Sequence, residues 1–259
     1  MVGWIEGTAS LDPKHFWVRL AVDPAFRRRG IGSALLRALV DARPEADRFS
    51  LDYREDNEAA ARFVADRGFE RKNHVFESVL DLKAFDPSSW QEPVDRLRAT
   101  GLRIATMAEL GDDESARYRF WDLEHTTDHD IPGVDPTLLI DWNDAQKIVF
   151  GSSYYDPAGE FVAMDGETFV SLSGVGELSP GRFYNQHTCT HRDYRGRGIA
   201  LGLKVLALAY AKERGGDTCR TNNHSENAPM LAINRKLGYV PQPGTWDATL
   251  HIAAGGGNR

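Results

Sequence analysis

The chain repeats itself. Val22–Leu36, VDPAFRRRGIGSALL, matches Thr190–Lys204, THRDYRGRGIALGLK, and sets Gly30 over Gly198 at an offset of 168 residues. Farther along, EDNEAAARFVADRGF matches SENAPMLAINRKLGY, setting Asn57 over Asn227 and Gly68 over Gly238 at an offset of 170. Two matched blocks in the same order at nearly one offset mean a duplicated domain. A solenoid would repeat every ~20–50 residues.

Each copy carries the same local signals. In copy one, HFWVRLAV is aromatic and β-branched and reads as a strand. The turn DPAFRRRG follows, then a helix from Ile31 to about Ala42 with apolar residues at Ile31, Leu35, Leu36 and Leu39, ended by Pro44. RFSLDY is a second strand, Asn57 to Arg67 a second helix, and Gly68 stands where a left-handed C-terminal residue belongs. FESVLDL closes the copy as a strand. Copy two repeats this with RFYNQHTCT, a helix from Gly198 to Arg214, DTCRTNN, a helix from Asn227 to Leu237, and Gly238. Strand–helix–strand implies adjacent parallel strands joined by a right-handed crossover, hence an α/β chain with mixed sheets.

The copies are unequal in what precedes them. FDPSSWQEPVDRLRATG lacks a sustained period and reads as a linker over 87–100. Domains of 1–86 and 101–252 follow, with AAGGGNR, 253–259, as a frayed tail. GLRIATMAEL is a strand, Glu114 to His125 a helix, DHDIPGVDP a loop with another amphipathic stretch to about Asp144, and GEFVAMDGETFVSLSGVGEL a hairpin turning at Asp165-Gly166. Gly198 lies 97 residues beyond Gly101, whereas Gly30 lies only 29 beyond Met1. Copy one is therefore expected to lack the first strand, both early helices and most of the hairpin.

Composition narrows the class. No run of about 18 apolar residues is present, which excludes a membrane-spanning helix. The N-terminus lacks a basic start and apolar core, and Cys189 and Cys219 cannot make a disulfide framework; both fit a cytoplasmic protein. A net charge of −7 argues against a general nucleic-acid binder.

The shared core of the repeat is R-x-x-G-x-(G/A): Arg27, Gly30 and Gly32, then Arg195, Gly198 and Ala200. After a strand and before a helix, it offers unpaired N–H groups and the positive end of a helix dipole, which suit a pyrophosphate. Arg28 and Arg29, and Arg192 and Arg197, add positive charge. A tight turn without ligand is the plain alternative. Neither G-x-G-x-x-G nor G-x-x-x-x-G-K-(S/T) is present.

RGRGIALGLK followed by TNNHSENAPMLAINRKLGY resembles the GNAT superfamily of acyl-CoA-dependent N-acetyltransferases, and within it the tandem, mycothiol-synthase-like group. The resemblance implies a mixed sheet whose two central parallel strands splay, with acetyl-CoA in the V as co-substrate. It implies pantetheine pairing at Cys189 and Thr190 and a pyrophosphate turn of Arg195, Gly196, Arg197, Gly198, Ile199 and Ala200. It further implies a cofactor contact at Asn227, a residue type that also caps helices well. The copy-one counterparts are Val22, Arg27, Arg28, Arg29, Gly30, Ile31, Gly32 and Asn57. Many members place a Tyr general acid where this chain has Asn234 and Val64, so Asn234 can hydrogen-bond the thioester or sulfur but cannot protonate it.

Transfer to an amine needs a base, and His187 on the strand entering the V is the first candidate, Glu177 the second. A structural His is the alternative. His187, Cys189 and His191 alternate, yet no C-x-x-C accompanies them, and no metal is expected. Asp128 and Asp130 in DLEHTTDHDIPG could hold a cationic acceptor, or merely form a solvated loop. The expectation is transfer of an acetyl group to a small-molecule primary amine by copy two. A non-catalytic acyl-CoA sensor, or an active copy one, stays open, as does a homodimer.

Overall fold

The computed structural model describes residues 1–10, 12–134 and 139–252. In chain order the strands and helices are β1 Gly3–Ala9, β2 His15–Val22, α1 Ile31–Asp41, β3 Arg48–Arg54, α2 Glu58–Ala65 and β4 Glu70–Asp81. Next come α3 Gln91–Arg98, β5 Arg103–Thr106, α4 Glu114–Asp128, α5 Trp142–Ile148, β6 Glu160–Asp165 and β7 Thr168–Ser179. The series ends with β8 Arg182–Thr190, α6 Ile199–Glu213, β9 Thr218–His224, α7 Ala228–Leu237, β10 Val240–Pro241 and β11 Thr245–His251.

The cap signals act as read. Asn57 Oδ1 accepts from Ala60 N and Asn227 Oδ1 from Met230 N, each satisfying one orphan donor of a first turn. Gly68 and Gly238 end the same helices with φ of 73° and 91°. The hairpin turns at Gly166, φ 58°, with Asp165 paired to Thr168. GLRIATMAEL is a strand only over β5, because Leu110 N already turns back to Thr106 O. The early helix runs on to Asp128, so the loop begins beyond it, and part of that loop lies outside the described residues. The tail expected over 253–259 lies outside them too.

The chain forms two compact units, Met1–Val75 with Pro243–Arg259, and Phe76–Gln242. This partition follows the strands rather than the repeats. In the first unit β1 pairs antiparallel with β2 in unbroken register from Gly3↔Val22 to Ala9↔Phe16. That strand is the counterpart of the later part of β7, Gly3↔Val22 standing at the place of Ser171↔Thr190. β2 pairs parallel with β3, and β11 lies between β3 and the first half of β4, antiparallel to both. The seven β3–β11 pairs put the last strand of copy two inside the sheet of the first unit. The core collects Phe16, Val18, Leu36, Phe49, Val64 and Phe69 beneath that sheet.

The second unit runs β4–β9–β8–β7–β6–β5, with β10 on the later half of β4. The stretch between the copies holds α3, whose buried face is Pro93, Val94 and Leu97. Leu97 packs with Ile199 and Leu203 of α6, so this segment joins the core although its pattern is too short to reveal a period. α4 covers the other side of β7 and β8 through Ala116, Phe120 and Leu123.

Candidate active site

In both copies the two central parallel strands part. β2 and β3 pair only from His15↔Arg48 to Trp17↔Ser50, although they continue to Val22 and Arg54. β8 and β9 pair only from Arg182↔Thr218 to Tyr184↔Arg220, although they continue to Thr190 and His224. Beyond those points β8 and β9 no longer pair with each other, which opens a slot for an extended ligand arm.

The turns repeat at the level of single hydrogen bonds. Arg27 Nε donates to Val22 O at 3.1 Å, and Arg195 Nε to Thr190 O at 2.9 Å. Gly30 and Gly198 hold φ of 80° and 77° before α1 and α6. Arg29 stacks over Phe26 as Arg197 does over Tyr194. One step differs: the left-handed position taken by Gly196, φ 76°, is occupied in copy one by Arg28, φ 61°. A Cβ on Gly32 would lie 2.9 Å from Phe63, so packing against α2 excludes a side chain there, independently of any phosphate. Ile31 and Ile199 begin the two helices. In the first unit the whole arrangement lines a cleft of about 1010 Å³ that includes Arg27, Arg28, Gly30, Gly32 and Asn57.

Copy two adds chemistry to this frame. The β7–β8 register shifts between Ser173↔Thr188 and Val175↔Asn185, leaving one extra residue in β8. That bulge reverses the side-chain alternation. Phe183 and Asn185 face α6, whereas His187 and Cys189 turn toward α4. There His187 is gripped at both nitrogens, Nδ1 by Glu124 Oε1 and Nε2 by Asp128 Oδ1, each at 3.0 Å. Burial pulls the imidazole pKa down, but the two carboxylates outweigh it and hold it well above its ordinary value. Burial pushes the carboxyl of Glu160 well above the ordinary carboxylate range, and Glu124 adds to the rise. Burial pushes the Cys189 thiol up to about 12, so it is no thiolate.

Other expected residues are placed elsewhere. Glu177 Oε1 accepts from Gly181 N at 2.8 Å in the β7–β8 turn, at the paired end of β8, so its carboxylate belongs to the hairpin and not the cleft. His191 caps the following turn by accepting from Asp193 N. Asp130 is held by Arg192 and Arg195, whose hydrogen bonds keep its carboxyl far below the ordinary range; it is a counter-ion of the turn, not a ligand for an amine. Asn234 is buried on α7 and donates to Asn223 Oδ1 at 2.6 Å, while its own Oδ1 has no partner. His224 accepts from Glu226 N at Nδ1, which leaves a buried Nε2–H without a partner at the end of β9. Such orphaned groups are what a bound amide-bearing arm would satisfy. Sequence reasoning missed Glu124, which lay within the acidic stretch but carried no mark of facing a strand.

Residues 1–69 match the Acetyltransferase (GNAT) family. The mycothiol acetyltransferase of Saccharomonospora viridis is 28% identical over 234 residues, covering 85% of this chain and 69% of that protein. The N-terminal copy thus carries the GNAT pattern, and the chain as a whole is similar to mycothiol acetyltransferases. Its fold is shared with a GCN5-related N-acetyltransferase from Sphaerobacter thermophilus, at TM-score 0.67 and 16% identity over 96% of this chain and 76% of that one. A tandem GNAT protein from the clavulanic acid biosynthesis pathway superposes at TM-score 0.61 and 20% identity, covering 92% and 75%. No group of three His, Cys, Asp or Glu among the described residues is arranged to hold a metal ion. Nor is any described helix long and apolar enough to cross a membrane.

Proposed function

We propose that copy two transfers the acetyl group of acetyl-CoA directly to a primary amine on a small molecule, and that copy one supplies a cofactor-type cleft without chemistry. The observation that carries this reading is the Glu124–His187–Asp128 clamp, set where the β8 bulge faces the opened V. Two carboxyl groups set on one imidazole make the site attractive to an ammonium acceptor. The arriving cation lowers the proton affinity of the imidazole, so His187 passes its proton to water and, now the neutral base, takes one from the amine. The thioester lies along β8, where backbone N–H groups freed from β9 can stabilise the tetrahedral oxyanion. With no tyrosine at Asn234, the departing thiolate takes its proton from the acceptor or from water.

The named relative acetylates in mycothiol chemistry, which favours a small polar amine borne on a thiol precursor or sugar as acceptor. Thiol release from acetyl-CoA over a panel of such amines tests the activity. Glu124→Gln should lower turnover about 30-fold and His187→Gln should remove it, with acetyl-CoA still bound in both; normal turnover in both would sink this reading.

A further inference from the structure

The bulge in β8 has a cost that the neighbouring residues meet. Where β7 and β8 lose register, Gly174 O receives the side-chain amide of Asn185, whose Nδ2 also reaches Ser173 Oγ at 3.3 Å. The Asn185 carbonyl then needs donors of its own. It receives Lys204 Nζ at 2.7 Å and Thr188 Oγ1 at 3.2 Å. Lys204 sits on α6, is wholly buried, and has Asn185 as its hydrogen-bond partner. Its remaining surroundings are the ring of Tyr239, 5.1 Å from Nζ, and Cys219, whose Sγ accepts from Tyr239.

A buried ammonium is expensive to keep. Copy one shows that the fold does not require it. Allowing for the extra residue in β8, the positions of Asn185, Lys204, Cys219 and Tyr239 correspond to Val18, Leu36, Phe49 and Phe69, all apolar and all in one core cluster. In copy one the register of β1 and β2 is unbroken. Bulge and polar network occur together in copy two and are absent together from copy one. The bulge is also what turns His187 toward Glu124 and Asp128.

We propose that Lys204, acting through Asn185, is a positioning residue for acetyl transfer: it fixes the amide that holds the β8 bulge, and so aims His187 at the acceptor. This rests on copy two being the catalytic copy. The role is one of orientation; Lys204 touches neither substrate.

The test is the double variant Asn185→Val/Lys204→Leu, which installs the residues copy one already packs at these positions, alongside the single Lys204→Met. Both should fold, with kcat reduced about tenfold or more and KM for acetyl-CoA within about threefold, since the turn is untouched. The His187 imidazole, followed by NMR titration, should move toward its ordinary pKa as the clamp loosens. A folded double variant with wild-type kcat and an unmoved His187 would overturn the proposal. If the double variant does not fold, unchanged kcat and His187 titration in Lys204→Met overturn it alone. Gly198→Glu run in parallel keeps the two readings apart: turnover surviving there refutes catalysis by copy two. Turnover lost there but kept in Asn185→Val/Lys204→Leu refutes only the role of Lys204.

Discussion

The two clefts share a binding frame and differ in everything that could do chemistry. Both turns tie an arginine to the last carbonyl of a strand, enter a helix through a left-handed glycine, and cap the next helix with asparagine. Of β2 and β8, β8 is bulged against its antiparallel neighbour and β2 is not, and beside β8 a histidine stands between two carboxylates. Where copy two buries Asn185, Lys204 and Asn234, copy one has Val18, Leu36 and Val64. The lesson is that one added residue in one strand moves a histidine from the face of the central helix to the face of α4, because it changes which face the following side chains serve.

The sharpest way to break the comparison is to block each turn in the same manner. Gly30→Glu and Gly198→Glu impose a similar backbone cost, the φ values being 80° and 77°. A carboxylate there opposes the pyrophosphate by several kcal/mol, so Gly198→Glu should cut turnover about 10³-fold. Gly30→Glu should leave turnover within about threefold if copy one does no chemistry. Thiol-release kinetics decide between them, and equal losses would erase the distinction.

The buried lysine offers the next largest effect. Desolvation lowers its pKa to about 8, below the 10.5 of an exposed lysine. Between those values the unfolded chain binds the proton and the folded chain does not, so wild-type stability rises with pH across that window. Lys204→Leu lacks this slope, and on the order of 3 kcal/mol of extra stability at pH 7 should shrink toward zero by pH 10.5. Denaturant unfolding at several pH values measures it; a constant difference would mean that burial does not lower the proton affinity of Lys204.

A smaller effect sharpens the role of the clamp. His187 is raised above its usual pKa by Glu124 and Asp128, so the free imidazole becomes available only on the alkaline side. Removing one negative neighbour in Glu124→Gln moves the rising limb of the kcat/KM profile to lower pH, with the plateau lowered about 30-fold. A limb that stays in place would separate His187 from the base.

The smallest effect concerns the turn of copy two, whose Arg192 and Arg195 are engaged by Asp130. Asp130→Asn should tighten acetyl-CoA by about threefold, less at high salt, as expected for a partly exposed ion pair. Calorimetry at two salt concentrations checks this.

Local features of the fold were legible because their causes are local. Asn57, Asn227, Gly68 and Gly238 mark helix ends through hydrogen bonds and φ values made within a turn, and the glycine turn with its arginine sits wholly inside one matched block. His187 stood out by its chemistry and position on the strand. What escaped depends on partners distant in sequence. The bulge exists only relative to β7, so simple alternation could not show that His187 leaves the face of Asn185. Glu124 acquires meaning only when α4 crosses β8. Asp130 and Glu177 looked available as lone carboxylates, until Arg192 with Arg195 and the Gly181 amide claimed them. β11 is a plain alternating segment whose sheet no local signal names.

That last strand bears on how the protein is made. The sheet of the first unit needs Thr245–His251 between β3 and β4. These residues leave the ribosome after both matched blocks, so the first repeat must wait with two strand edges unpaired while the second is translated. The usual order, in which an N-terminal domain completes itself before the next begins, is closed to this chain. Its first unit is completed only once residue 251 is made, and a nascent chain halted before residue 245 has the turn of copy one in its sequence but not the full sheet that would hold it.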